Sequence, residues 1–297
     1  MKLIARGRTV SFPRRPLIMG ILNLNDDSFS NDGTLDTGIA LTRIKKLISD
    51  GADIIDLGGE SARTNRSAIG VAEEISRVVP VVEKFSRVAS DSEPRDEIQI
   101  FPPLLSINTW RPSVAREIFP IGGDIFNDMG ALPTWENAEI AAEHEAALVV
   151  MHSIGEPKVA HTHLSYSDII ATQSSFFRQK TAGAMAAGLS REQIILDPGI
   201  DFAKQRDDNL TIYQKFKRIA DLGFPTLLPV SRKTVIGDVL RIPPNERDAG
   251  TVACIVAGAM RGASIFRVHN VAAAWQTLKI LVSLDDAYLE EPARKTI

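Results

Sequence analysis

The sequence predicts a (β/α)8 barrel, an α/β fold of the TIM-barrel type. Three observations carry that expectation. Apolar runs of about 3–6 residues recur along the chain, near-continuous in hydrophobicity, as strands covered on both faces of a parallel sheet are. Stretches with helical periodicity separate them. About eight such alternations fit into 297 residues, close to the roughly 250 residues of one barrel. A doubly wound sheet would favour a glycine-rich turn after the first strand, and the polar stretch from Asn23 to Ser28 is not one. The whole chain, 1–297, is therefore expected to form a single domain.

In chain order, strands are expected at 17–22, 54–57, 104–107, 124–126, 148–151, 194–196, 226–230 and 265–268. Helices are expected at 39–50, ending before Gly51, and at 72–88, with Ile75, Val78, Val79 and Val82 on one face. Further helices are expected at 113–118, at 168–187 with Asp168 as N-cap, and at 211–222, 249–261 and 272–284. The polar, proline-containing stretch 86–103 reads as a surface insertion before the third strand.

The bulk properties exclude several classes. A net charge of -3 offers no broad basic field for nucleic acid, so an anionic ligand must be held by local groups. The single cysteine, Cys254, rules out a disulfide within the chain and fits a reducing compartment, with the thiol as a small buried hydrophobe. The N-terminal stretch lacks the apolar core of about 7–15 residues of a signal peptide. No run approaches the roughly 18–20 apolar residues of a membrane span. A soluble, cytoplasmic protein with no nucleic-acid or membrane partner is expected.

In such a barrel the chemistry sits where the strands end. The expected strand ends carry Asn23; Asp56, Glu60 and Arg63; Asn108; Asn127 and Asp128; His152; Asp197; Ser231, Arg232 and Lys233; and Arg267 and His269. A turn or a helix cap accounts for any one of them, but turns need neither Lys nor His, so the set as a whole points to a site. Arg267 and His269 lie two apart and so point the same way, a clamp for an anion such as phosphate. Asn108, Asn127 and Asp197 offer amide and carboxylate edges suited to a flat heterocycle. Arg63, Lys233, Arg267 and His269 offer charge suited to a diphosphate. Asn23 is placed to present a carbonyl oxygen to hydrated Mg2+, which bridges phosphates.

Other polar residues read more plainly. His161 and His163 are expected in a solvated loop, His144 on a polar helix face, and Glu73 and Glu74 at a solvated helix start. Trp110 fits either a pocket edge or the core, and Asp56 and Glu60 fit either support of the site or a purely structural role.

The segments "MGILNLNDDSFS", "GADIIDLGGESAR", "LLSINTWRPSVA", "IFNDMG", "LVVMHS", "ILDPGIDFAK", "PVSRKTVIG" and "IFRVHNV", in this order, resemble the dihydropteroate synthase family along nearly the whole chain. The resemblance implies a TIM barrel, usually a homodimer. Its small-molecule substrates are 6-hydroxymethyl-7,8-dihydropterin diphosphate and p-aminobenzoate, joined with loss of pyrophosphate in folate synthesis. It implies a pterin pocket of Asn108, Asn127, Asp197 and Lys233 with Met151 nearby, and a Mg2+ and diphosphate site at Asn23. Arg267 and His269 become the diphosphate clamp, and Lys233, Arg267, His269 and Asp197 the groups closest to catalysis. The p-aminobenzoate side falls to Arg63, Ser231 and Phe29, the last in a first loop that closes over the second substrate.

The chain departs from the family where that pattern has Thr-Pro for Asn25-Asp26, Thr for Ala62, Pro for Thr64, Asp for Asn108, Gly for Asp201 and Asp for Asn270. An amide at 108 keeps the shape of the family's carboxylate without its charge. Two readings follow: a divergent synthase, or a pterin-binding paralogue with lost or altered condensation. A pterin-dependent methyltransferase shares the barrel, but methyl transfer needs no diphosphate clamp.

Overall fold

The computed structural model describes residues 1–12, 14–25, 33–61, 67–159, 161 and 164–284. The chain begins with an antiparallel hairpin, β1 (Lys2–Ala5) and β2 (Arg8–Ser11). Arg6 and Gly7 turn it with φ of 48° and 77°, the paired positive φ of a two-residue hairpin loop. The expectations from sequence do not include this hairpin, because Arg-Gly is a weak turn signal and each strand is short.

The strands expected from the apolar runs are all found. They are β3 (Leu17–Asn23), β4 (Ile54–Gly58), β5 (Leu104–Asn108), β6 (Ile125–Asp128), β7 (Ala147–Met151), β8 (Ile194–Asp197), β9 (Leu227–Pro229) and β10 (Ile265–Val268). All pair in parallel, in the order β8-β7-β6-β5-β4-β3-β10-β9. A parallel bridge from Leu196 to Thr226 joins the two ends and closes the barrel.

The surrounding helices are α1 (Thr37–Ser49), α2 (Val71–Ser90), α3 (Pro112–Ile118), α4 (Glu136–Glu143), α5 (Ile169–Ala186), α6 (Arg206–Lys215), α7 (Lys217–Ala220), α8 (Thr234–Leu240), α9 (Asp248–Ala259) and α10 (Val271–Leu284). Asp168 caps α5 as expected, accepting from the N–H groups of Ile170 at 2.9 Å and Ala171 at 3.0 Å. The helix expected at 211–222 starts earlier, at Arg206, because Gln205 and Asp208 form a reciprocal cap there. Neither α4 nor α8 is expected from the sequence as an element of its own.

The stretch 86–103 is less of a surface insertion than its composition suggests. Its first part continues α2 to Ser90. Further on, buried Gln99 donates to the carbonyls of Ile48 at 3.0 Å and Ala52 at 2.7 Å, and Trp275 Nε1 donates to Asp96 at 3.0 Å. These bonds bind the segment to the N-terminal end of the barrel, where Arg15 and Asp53 form a buried pair at 2.8 Å.

Strand periodicity explains how the barrel separates core from site. Side chains two apart share a face. The lower inward positions are apolar: Leu17 and Met19, Ile54, Leu104, Ile125, Ala147 and Val149, Ile195, Leu227 and Ile265, capped from below by Leu3, Ala5 and Val10 of the hairpin. The intervening residues, among them Ile18, Ile55, Leu105, Phe126, Leu148 and Phe266, pack against the helices. Two residues further up, the inward position turns polar on most strands, with Asp56, Ser106, Asn127, Asp197 and Arg267, while Ile21, Met151 and Pro229 keep it apolar.

Candidate active site

The upper inward positions line a cavity of about 620 Å³ at the C-terminal end of the barrel. From the strands and their ends come Asn23, Asn108, Asn127, Met151, Asp197, Arg267 and His269, and from the loop after β9 come Ser231 and Lys233. Of the site residues expected from sequence, these nine therefore meet in one space. Phe29 and Arg63 lie outside the described residues, as do Asp26, Ala62 and Thr64.

Under the cavity lies Asp56, fully buried in the middle of β4. Its Oδ1 accepts from Ser106 Oγ at 2.6 Å and Asn127 Nδ2 at 3.1 Å. Its Oδ2 accepts from Arg267 Nε at 2.7 Å and Asn108 Nδ2 at 3.3 Å. One carboxylate thus ties together side chains from β5, β6 and β10. An ionised carboxylate only accepts, so both asparagines must turn their nitrogens toward Asp56 and their oxygens away. Asn108 Oδ1 is consequently left buried without a hydrogen-bond partner. Three of its four partners, Asn108, Asn127 and Arg267, line the cavity. The available signal was a carboxylate inside an otherwise apolar strand, "IIDLG", in phase with Ile54.

Asp197 closes β8 and accepts from Gly199 N at 2.7 Å. Burial pushes its carboxyl up to about 6, opposed by that N–H and by the ammonium groups of Lys233 and Lys204. The turn requires glycine at 199: φ is +64°, and a Cβ there would lie 2.1 Å from the carbonyl oxygen of His152. Lys204, not anticipated from the sequence, is buried beside Asp197 and donates to His152 O at 2.9 Å and Phe202 O at 2.8 Å. Burial brings its ammonium down to about 7. Lys233 Nζ donates to Ile200 O at 2.8 Å, and burial lowers its pKa against the opposing pull of Asp201 and Asp197.

Arg267 uses one of its five N–H donors on Asp56. His269 is set by Ser231: its backbone N–H donates to Ser231 Oγ at 3.1 Å, and its Nδ1 lies 2.8 Å from the same oxygen. If the hydroxyl donates to Nδ1, the ring proton sits on Nε2, the donor that an anion would meet. Ser231, expected from sequence on the p-aminobenzoate side, orients the His269 ring. Asn270, where the family pattern has Asp, caps α10 through Ala273 N at 3.0 Å and donates to Asp248 at 3.0 Å.

Several other polar residues depart from expectation. Asp128 follows Asn127 in β6 and His152 comes just after the end of β7 at Met151, and neither lines the cavity. The His152 ring is buried among Tyr166, Phe176 and Phe177, and that burial holds its pKa near 3. Asp128 is buried, accepts from Gly130 N at 2.6 Å, and is pushed up to about 6. Glu74 is not at a solvated helix start: it is buried and paired, like Glu60, with Arg111. Glu60 also meets Lys158 at 3.0 Å, and Lys158 donates to Ser61 O at 3.0 Å, joining the loops after β4 and β7. Trp110 and His161 both line the cavity, and His161 Nε2 is buried without a partner rather than solvated.

The arrangement offers fixed acceptors and a lysine along one wall, and an arginine and a histidine beside them. It suits a planar heterocycle with ring N–H groups that carries an anionic substituent.

Comparison with known proteins agrees with this chemistry. The family described as "Pterin binding enzyme" matches residues 19–269. The dihydropteroate synthase of Bacillus subtilis (strain 168) is 39% identical over 264 residues, 88% of this chain and 86% of that one. Among solved structures, the Yersinia pestis dihydropteroate synthase, in a sulfonamide drug complex, superposes with a TM-score of 0.85 at 33% identity, covering 96% of this chain and 98% of that chain. The Thermus thermophilus enzyme, in complex with 4-aminobenzoate, gives 0.82 at 31% identity, covering 96% and 100%. The same barrel, closed over the same run of motifs, makes this chain a transferase of the dihydropteroate synthase family.

Proposed function

We propose that the cavity joins 6-hydroxymethyl-7,8-dihydropterin diphosphate to p-aminobenzoate, giving 7,8-dihydropteroate and pyrophosphate. The observation that carries this reading is the shared cavity of Asp197, Asn127 and Lys233 with Arg267 and His269. In this reading Asp197 accepts from the amino and ring N–H groups of the pterin. Asn127 and Asn108 present acceptor oxygens along the same ring, Met151 packs nearby, and Lys233 donates to the ring carbonyl. Arg267 and His269 hold the diphosphate, and Ser231, Arg63 and Phe29 serve the p-aminobenzoate end.

The C–O bond of the methylene breaks and its electron pair leaves with pyrophosphate, whose charge Arg267 and His269 neutralise. The positive charge left on the methylene spreads into the ring, within the field of Asp197 and, below it, Asp56. The lone pair of the aniline nitrogen then forms the C–N bond, and that nitrogen releases a proton. Fixed charges aimed at developing charge carry such a step.

Among the described residues, no group of three or more His, Cys, Asp or Glu is gathered to hold a metal. With Asn23 as the protein's oxygen donor beside the diphosphate seat, the site fits Mg2+ that keeps its waters and is held largely by substrate phosphates. When bound, the ion would add positive charge to the leaving group. Pairing into a homodimer belongs to the same reading, supported by Met260, Ile280 and Leu284, apolar and exposed in or just beyond α9 and α10.

With Mg2+ and both substrates, purified protein is expected to release pyrophosphate, with the mass of a homodimer in solution. Folded protein that gives no release above background would refute the synthase assignment. Asn108 tests the chain's departure from the family. Asn108→Asp is expected to raise turnover by up to about 10-fold, since a hydrogen bond to a charged group is worth about 1.5–3 kcal/mol and one to a neutral group about 0.5–1.5 kcal/mol. It should also lower the melting temperature, because the new carboxylate would face Asp56 across a 3.3 Å contact. A fall in turnover would mean that the site is built around the amide.

A further inference from the structure

The loop that follows β8 holds a backbone shape its residues do not favour. Asp201 and Ala203 have φ of +68° and +50°, where residues with a Cβ are rarely found. Such a shape persists when its surroundings over-determine it, and here the surroundings are explicit. Asp201 N donates to Asn209 Oδ1 at 3.0 Å, and Asn209 Nδ2 donates back to Asp201 Oδ1 at 3.1 Å. The other carboxylate oxygen, Oδ2, accepts from Thr234 N at 2.6 Å. Thr234 is the first residue of α8 and directly follows Lys233, which has no side-chain cap of its own for that helix.

Lys233 is therefore gripped twice by adjoining residues of one loop. Its Nζ donates to the carbonyl of Ile200, and the backbone just after it is tied to the carboxylate of Asp201. On the far side of the loop, Lys204 donates to the carbonyl of Phe202. The charge of Asp201 also favours the ammonium form of Lys233.

We propose that Asp201 is a positioning residue for Lys233: its carboxylate clamps the loop after β8 to the start of α8 and so holds the lysine ammonium at the pterin edge of the cavity. The proposal rests on the pterin reading of the site. Glycine at 201 separates clamp from strain, because it adopts φ of +68° freely. If Asp201 merely tolerates its backbone shape, Asp201→Gly should leave ligand affinity unchanged and keep or raise the melting temperature.

The test is calorimetric titration of 6-hydroxymethyl-7,8-dihydropterin diphosphate with Mg2+ into the full chain. Asp201→Gly is expected to fold with an unchanged melting temperature and to bind about 10-fold more weakly, the scale of one charge-assisted hydrogen bond. Asp201→Asn, whose carbonyl oxygen can still accept from Thr234, is expected to recover most of that loss. In a Lys233→Ala background, Asp201→Gly should cost less than about 2-fold, since the two act through one contact. Equal losses in both backgrounds, or wild-type affinity in Asp201→Gly, would overturn the proposal while leaving the pterin reading intact. Absence of binding by the wild type would overturn both.

Discussion

Asp197→Ala is expected to lower affinity for the pterin substrate by about 10²–10⁴-fold. In the proposed reading the carboxylate accepts two N–H groups from one edge of the ring. Each such bond to a charged acceptor is worth about 1.5–3 kcal/mol, and the pair about 3–6 kcal/mol. The protein should still fold, because no strand pairing depends on this side chain and burial disfavours its charge. The sign of the pH dependence follows from the same burial. With its pKa raised to about 6, the carboxyl gains a proton as pH falls through that value, and the acceptor is lost. Affinity measured by calorimetry should therefore decline below about pH 6, and Asp197→Asn should bind weakly with that acid limb flattened. Wild-type affinity in Asp197→Ala would remove the pterin pocket as drawn here.

Asp56→Ala should act on folding and chemistry together. The substitution takes the partner from Arg267 and the acceptor from Ser106, Asn108 and Asn127, all in the barrel interior. Breaking a buried ion pair by removing one side costs about 3–5 kcal/mol. In a chain of this size that lowers the melting temperature by about 10 °C. Turnover should fall by more than the folded fraction explains, because both amides are freed to rotate and Arg267 loses its anchor. Asp56→Asn keeps the volume but brings one acceptor oxygen where two served four donors, so it should be intermediate in both measurements. An Asp56→Ala protein with normal pyrophosphate release per folded molecule would show that the carboxylate organises the core and not the site.

These two residues also mark what was legible in the sequence. Asp197 follows an apolar run and precedes Pro-Gly, so its place at a strand end could be read directly. Asn127, Lys233, Arg267 and His269 were legible for the same reason, and the barrel itself followed from the spacing of the apolar runs. Asp56 was visible but ambiguous. A carboxylate within a strand means little until the strands beside it are known, because its partners come from 50 to 211 residues away. Lys204 carried no such signal: it follows Phe-Ala in a loop, and only the turn at Gly199 brings it beside Asp197.

The first turn of α8 makes the same division in small. The residue that stands at its N-cap is Lys233, whose side chain has no oxygen to accept from the helix, and the carboxylate that accepts from Thr234 lies 33 residues earlier. By itself the sequence determined the barrel, the inward and outward alternation along each strand, and most polar residues at the rim, because periodicity and strand ends are local properties written in consecutive residues. Only the tertiary structure decided which of those polar groups support one another, which amide edges face the cavity and which loop holds Lys233. Hydrogen bonds form between atoms that are close in space, and closing the barrel brings together residues that the chain keeps far apart.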